Sequence, residues 1–421
     1  MTKEFFINNR KEFISRMEDK SFALLFSGEA PHKTGDQFYS YTTNRNFFYL
    51  TGLEKPNYIL LMMRSKDALL EFLFIEEATD YTEKWLGHRL SKEEASAISG
   101  IDPKYIYFLS SFESFVTSAI LADSRRNVGG VPHNLYLDLY RYKANVKPDC
   151  MAKVDFILAN YPELCVMNAN VILDRQRMYK DPEEIAEIKK AIAYAKAGIE
   201  AQWKAARPGM NEHELDALFD YQTRVAGSDG VSFETIIASG ANGTTLHYDE
   251  NKAVIPANTL VLSDEGCLSG PYASDITRTF PISGKFTPRQ KELYQLVLDV
   301  NKKCIEFVKP GIMMADLNAY AKKMLAEGAV KLHVIANESE IDKVYYHSVS
   351  HYLGLDVHDV GTYNVPVEAG IVCTIEPGIY INEEMIGIRI EDNVLVTENG
   401  CLNLSQAILK EVADIEAFMK R

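Results

Sequence analysis

Four carboxylates fall in two pairs on two strand-like hairpins, and this placement constrains the chain more than any other feature. In TLVLSDEGCLSGPYASDITRTF, Asp264 and Asp275 are equidistant from Ser269-Gly270, a two-residue turn signal between strand-forming runs. The expected register pairs positions whose numbers sum to 539, so the two aspartates face each other. In VCTIEPGIYINEEMIGIRIEDNVLV, Glu376 and Glu391 are equidistant from Glu383-Glu384, which predicts a second hairpin whose facing numbers sum to 767. Like charges opposite one another on a ladder are destabilising, and ionised carboxylates do not share a core without a cation. On a solvent-facing hairpin the same pairs would be harmless. Here Leu260 and Leu262 have the parity of Asp264, and Ile388 and Ile390 alternate with Arg389 and Glu391, a pattern suited to interior strands. Two such pairs point to a divalent metal site.

A third segment supplies nitrogen. YYHSVSHYLGLDVHD holds three of the nine histidines, His347, His351 and His358. Imidazole is the usual partner of carboxylates around a divalent ion.

At 421 residues the chain is long enough for about two domains, each with its own core. The boundary is legible in capping chemistry. In KDPEEIAEIKKAIAYAKAGIEAQW, Asp181 can cap, Pro182 suits the first helical position, and Glu184 sits where a capping-box acid reaches back. Asn168 to Tyr179 then reads as a connection, which gives domains 1–172 and 173–421. Upstream, strand-like YILLMM and LEFLFI alternate with helical SKEEASAISG, an α/β layered pattern. Downstream, ARPGMNEHELDALF from Ala206 aligns without gaps on VKPGIMMADLNAYA from Val308, an offset of 102 residues. A helix, Pro-Gly turn, helix unit used twice suggests two similar halves about a pseudo-twofold axis.

The net charge of −14 is spread along the chain, which disfavours nucleic acid or an anionic membrane as partner. No apolar run approaches the roughly 18 residues of a membrane span, and MTKEFFINNRKEF lacks an apolar leader core. The six cysteines are scattered without a CxxC pair, as expected of reduced thiols in packed positions. A cytoplasmic protein is expected.

The set Asp264, Asp275, His351, Glu376 and Glu391, in the contexts YASDITRTF, HYLGLDVHD, TIEPGIY and GIRIED, resembles the pita-bread metallopeptidases, and closely the aminopeptidase P and prolidase group. YTTNRNFFYLTGL, Tyr41 to Leu53, resembles the domain that precedes the catalytic domain in aminopeptidase P. The fold implied is mixed α/β (α+β): an aminopeptidase P-like α/β domain, then a pita-bread domain with duplicated halves and a metal site between them. The implied activity is release of the first residue from peptides with proline in second position, or, in a prolidase, cleavage of Xaa-Pro dipeptides. Creatinase-like relatives and non-catalytic pita-bread binding modules are the other classes of that fold, and both have generally lost ligands present here.

Four carboxylates and one imidazole make an oxygen-rich shell with too much negative charge for one divalent ion, so two ions are expected, manganese first, with cobalt, iron or zinc also fitting. By resemblance Asp275 and Glu391 bridge the ions, Asp264 is terminal on one, and His351 with Glu376 is terminal on the other. Two ions close together can hold and acidify a water while polarising a carbonyl. The resemblance makes His247, in SGANGTTLHYDEN, and His358 the non-ligand imidazoles near substrate; His347 is a further pocket histidine, and Glu376 can also handle a proton. Arg389 has the parity of Glu391 and is expected to support a ligand, as is Tyr380. Two residues depart from the family's pattern: Glu265, where alanine is usual, and Ser348, where glycine is common. A dimer or tetramer through the amino-terminal domain is expected, with Trp85 near a neighbouring subunit's site; for any single tryptophan, core burial is the simpler expectation.

Overall fold

The apolar runs of the first third of the chain become strands of one sheet. The computed structural model describes residues 1–66, 68–121 and 131–420, and these fall into two compact units, Met1–Arg177 and Met178–Arg421. The first unit carries strands β1 (Ser21–Phe26), β2 (Ile59–Ser65), β3 (Ala68–Ile75), β4 (Ile106–Phe108), β5 (Asn134–Leu137) and β6 (Cys165–Asn168). Their order across the sheet is β4-β3-β2-β1-β5-β6. β2 runs antiparallel to both neighbours, whereas β1 with β5, β5 with β6, and β3 with β4 are parallel. Phe22, Leu24, Leu61, Phe74, Leu135 and Val154 form its buried centre.

The segment read as a connection is itself helical over Asn170–Met178. Trp85 is not a core residue: it lies on Asp80–Leu86, a short helix with no buried position, and is 73% exposed. The other tryptophan, Trp203, is buried.

In the second unit the predicted helix start is realised. Asp181 caps α1 (Pro182–Ala205), and Glu184 returns the bond to the Asp181 N–H at 2.8 Å. The offset of 102 residues persists in three dimensions. α1 ends at Ala205 and α2 (Glu212–Ala226) starts at Glu212; α3 (Pro288–Phe307) ends at Phe307 and α4 (Met314–Lys331) starts at Met314. Each turn has a left-handed glycine, Gly209 at φ 86° and Gly311 at φ 92°. Each is clamped alike: Gly209 N donates to Ile255 O while Ile255 N donates to Met210 O, and Gly311 N donates to Val367 O while Val367 N donates to Ile312 O. Duplicated halves are therefore a property of the backbone hydrogen bonds and not only of helix punctuation.

The first half supplies β7 (Ile236–Ser239), β8 (Leu260–Glu265), β9 (Cys267–Ser269), β10 (Tyr272–Ala273) and β11 (Ile276–Pro281). The register differs by one step from that expected. Ser269 pairs with Tyr272, so the turn is Gly270-Pro271 and facing numbers sum to 541: Asp264 faces Thr277, not Asp275. Gly270 supplies the left-handed backbone, at φ 51°, and Pro271, which has no N–H, sits where the ladder requires none. Asp275 precedes Thr277 by two residues, so the aspartates remain on one face as diagonal neighbours.

The second half supplies β12 (Val372–Ile375), β13 (Gly378–Ile381), β14 (Ile386–Arg389), β15 (Asp392–Thr397) and β16 (Gly400–Asn403). Gly378 pairs with Arg389 and Ile375 with Asp392, both summing to 767 as predicted, so Glu376 and Glu391 are opposite. The reversal spans Asn382 to Met385, with Met385 at φ 53°. Among the described residues no helix is long and apolar enough to cross a membrane.

Candidate metal centre

The two hairpins and the His347–His358 segment converge on one cavity of about 390 Å³. Nine of the ten residues singled out from the sequence line it; the tenth, Tyr380, is buried behind His347 and Arg389. Asp275, His351 and Glu391 each offer a ligand atom, all within 4.8 Å of one another. His351 Nε2 lies 3.3 Å from Asp275 Oδ2 and 3.5 Å from Glu376 Oε1. Its Nδ1 is 3.0 Å from the Tyr352 carbonyl, which can only accept, so Nδ1 carries a proton and Nε2 is the nitrogen that faces the carboxylates.

Each ligand candidate is held from behind. Arg389 is the hub: its NH2 group donates to Asp264 Oδ2 at 2.5 Å, its Nε to Thr277 Oγ1 at 3.0 Å, and its NH1 group to Tyr380 Oη at 2.9 Å. Thr277 Oγ1 in turn donates to Glu391 Oε2 at 2.7 Å. Asn393 clamps the Asp275 backbone with both ends of its amide, at 3.2 and 2.6 Å. Sequence reasoning missed Thr277 and Asn393. Each stands two residues beyond a carboxylate, Asp275 and Glu391 respectively, and parity would have found them.

His347 is also fully engaged. The Ser348 carbonyl, 2.8 Å away, fixes the proton on Nδ1, so Nε2 accepts from Tyr380 Oη at 2.8 Å. A chain of donors thus runs from Arg389 through Tyr380 and His347 to a carbonyl.

The electrostatics ask for a cation. Burial raises Asp275, raises Glu376 to about 7, and raises Glu391 well above the usual carboxylate range, with mutual repulsion adding to each. Burial alone would lower His351, but the hydrogen bond and charge of Asp275 outweigh it and lift the imidazole to about 9. The centre draws positive charge toward the Nε2 edge. Asp264 Oδ1 and Glu391 Oε1 are buried with no hydrogen-bond partner, lone pairs a metal ion would occupy. An oxygen-rich donor set with one imidazole and two orphaned carboxylate oxygens fits divalent ions. By contrast, burial and neighbouring positive groups lower His347 and His358 to about 4, which keeps both neutral at pH 7.

Glu265 points away from the cavity, as strand alternation requires. It is buried and accepts a hydrogen bond from Gln202 Nε2, so this departure leaves the donor set unchanged.

This geometry has counterparts among known proteins. The profile of metallopeptidase family M24 matches residues 186–398, and that of the aminopeptidase P N-terminal domain matches residues 6–128. The Xaa-Pro aminopeptidase of Haemophilus influenzae is 32% identical over 100% of this chain and 98% of its own length. That of Escherichia coli is 30% identical over the same shares. A solved structure from Bacillus anthracis superposes with a TM-score of 0.95 at 42% identity, covering 100% of this chain and 99% of the other. Escherichia coli aminopeptidase P with the inhibitor Pro-Leu superposes at 0.89 and 29% identity, covering 100% and 98%.

The fold and site define a pita-bread metallopeptidase preceded by an aminopeptidase P-type α/β domain. The chain belongs to metallopeptidase family M24.

Proposed function

We propose that this protein is a metal-dependent aminopeptidase that releases the first residue from peptides with proline in second position. The observation that carries the reading is the five-residue donor set, with two orphaned carboxylate oxygens, in a cavity that also presents neutral imidazoles. Relatives matched end to end are Xaa-Pro aminopeptidases, and one solved relative holds Pro-Leu.

Asp264, Asp275, His351, Glu376 and Glu391 would hold two divalent ions, manganese foremost. When bound, such ions supply an activated water and polarise the scissile carbonyl. The protein's own residues do the rest. Glu376, in the cavity 3.5 Å from His351 Nε2, would take a proton from the attacking water and pass it to the leaving nitrogen. His358, neutral and at the cavity mouth, and His247 donate hydrogen bonds to the carbonyl oxygen as charge develops there. His347 is bound at both nitrogens, so its part is to orient Tyr380 and the cavity wall. A bond before proline has no N–H, so recognition rests on ring shape.

The test is hydrolysis of an Xaa-Pro-Xaa tripeptide beside the matching dipeptide by manganese-loaded protein, with a chelated control. Chelator-sensitive release from the tripeptide supports the aminopeptidase. Cleavage of the dipeptide alone would make the enzyme a prolidase, and cleavage of neither with any of the four metals would leave a binding role.

The amino-terminal unit is proposed to form a dimer or tetramer, supported by the exposed Tyr81–Trp85 pair, ring centroids 5.9 Å apart. A fully active monomer in sedimentation would overturn that. Six unpaired cysteines support a reducing, cytoplasmic setting.

A further inference from the structure

The second repeat unit begins with Met314 where the first begins with Glu212. A buried methionine at that helix start is ordinary core. A carboxylate with no exposed surface is not, and its partners explain it. Glu212 Oε1 accepts from Ser239 N at 2.8 Å, Ser239 Oγ at 2.7 Å and Asn242 Nδ2 at 3.0 Å. Oε2 accepts from Tyr248 Oη at 2.8 Å and Ala253 N at 2.9 Å. All five donors belong to residues 239–253, the connection that carries His247.

A carboxylate offers about four lone-pair sites in one plane and no donor of its own. Here it gathers both ends of a loop and one residue beside His247. The loop is also pressed on strand β14: a Cβ on Gly387 would lie 1.8 Å from the Gly243 carbonyl oxygen. That strand ends in Arg389, the hub of the metal centre. Asn251 closes the far side, donating to Thr235 O and accepting from Ile237 N.

We propose that Glu212 is a positioning residue, acting through the 239–253 loop to hold His247 over the substrate carbonyl. The inference rests on the proposed function for its kinetic consequence, and on the loop alone for its structural one. A neutral amide of the same shape does not do this work. Glutamine is the same size, but its NH₂ would face the Ala253 N–H or the Ser239 N–H, and one set of bonds is lost whichever way it turns.

The test uses the metal-loaded full chain and four proteins: wild type, Glu212→Gln, His247→Ala and the double variant. Misplacement of about 1 Å can cost on the order of 100-fold. Glu212→Gln is expected to lower kcat/KM on the tripeptide by about 10- to 100-fold with bound manganese unchanged. In the His247→Ala background the same change is expected to cost less than threefold. Amide exchange over 239–253 should rise while exchange over β12 and β15 does not. Should Glu212→Gln fail to fold, Tyr248→Phe removes one of the five bonds and should show the same coupling at smaller size. Equal losses in both backgrounds, or loss of metal, would overturn the proposal. If the wild type cleaves no peptide, the function reading fails by itself, and unchanged exchange over 239–253 is then the result that sinks this one.

Discussion

The guanidinium of Arg389 spans from Asp264 Oδ2, at 2.5 Å, to Tyr380 Oη, at 2.9 Å, so one side chain couples a carboxylate of the first half to the imidazole chain of the second. Lysine has no second nitrogen to make that span. Arg389→Lys is expected to weaken manganese binding by about 10- to 100-fold while retaining the fold. Titration calorimetry reads the affinity, and circular dichroism the fold.

Metal removal should also appear in stability. Binding to the folded state alone adds about 2.7 kcal/mol at 100 times Kd. Chelation is expected to lower the unfolding midpoint of the wild type by several degrees. Asp275→Ala should unfold at one temperature with or without chelator. A midpoint equally indifferent in the wild type would remove the ions from the reading.

Lys180 and Asp359 form an ion pair with both side chains 1% exposed, next to His358 in the chain. The glycine at 354 belongs to the same packing, since a Cβ there would lie 2.2 Å from Asp359 Oδ2. Lys180→Met removes the ammonium facing a buried carboxylate and is expected to cost about 3 kcal/mol in urea unfolding. Adding Asp359→Leu should recover much of it.

Glu184 yields a pH prediction. Burial raises it from 4.5 to about 7, against the pull of Lys180. Between those values the folded chain keeps a proton that the unfolded chain releases. Its contribution to stability is present below pH 4.5 and is lost as pH climbs to 7. Glu184→Gln keeps the neutral form at every pH. Its stability relative to wild type is expected to rise by about 2 kcal/mol from pH 5 to 7 and then level off. A difference that is flat across that range would refute the shift.

How far the sequence spoke depends on which physical signal each element carried. The second hairpin was legible because Glu383-Glu384 is the true centre of its reversal, whatever turn it adopts. The first slipped by one residue because Ser269-Gly270 and Gly270-Pro271 are both acceptable turn pairs, and only the ladder decides between them. The ligand-type residues all line one cavity because a step of one register still left the aspartates on one face. Glu212 and Lys180 were silent, and parity places Asn393 on the face of Glu391 without naming Asp275 as its partner. Their partners lie 27 to 41, 118 and 179 residues away, and no local periodicity encodes such pairings. Core burial, the simpler expectation for any single tryptophan, does not hold for Trp85, because size and apolarity carry no information about which face of a short helix is covered.

The clamp of Asn393 on the backbone of Asp275 joins residues 118 apart, with His351, Glu376 and Glu391 between them in the chain. On the ribosome, at about 5 to 20 residues per second, Asp275 emerges on the order of ten seconds before that clamp can close. Through this interval an ion meeting the growing polypeptide finds at most part of the donor set, because His351, Glu376 and Glu391 follow Asp275 in turn. The complete donor set, and the clamp that fixes its first hairpin to its second, therefore form only when the last part of the chain has been made.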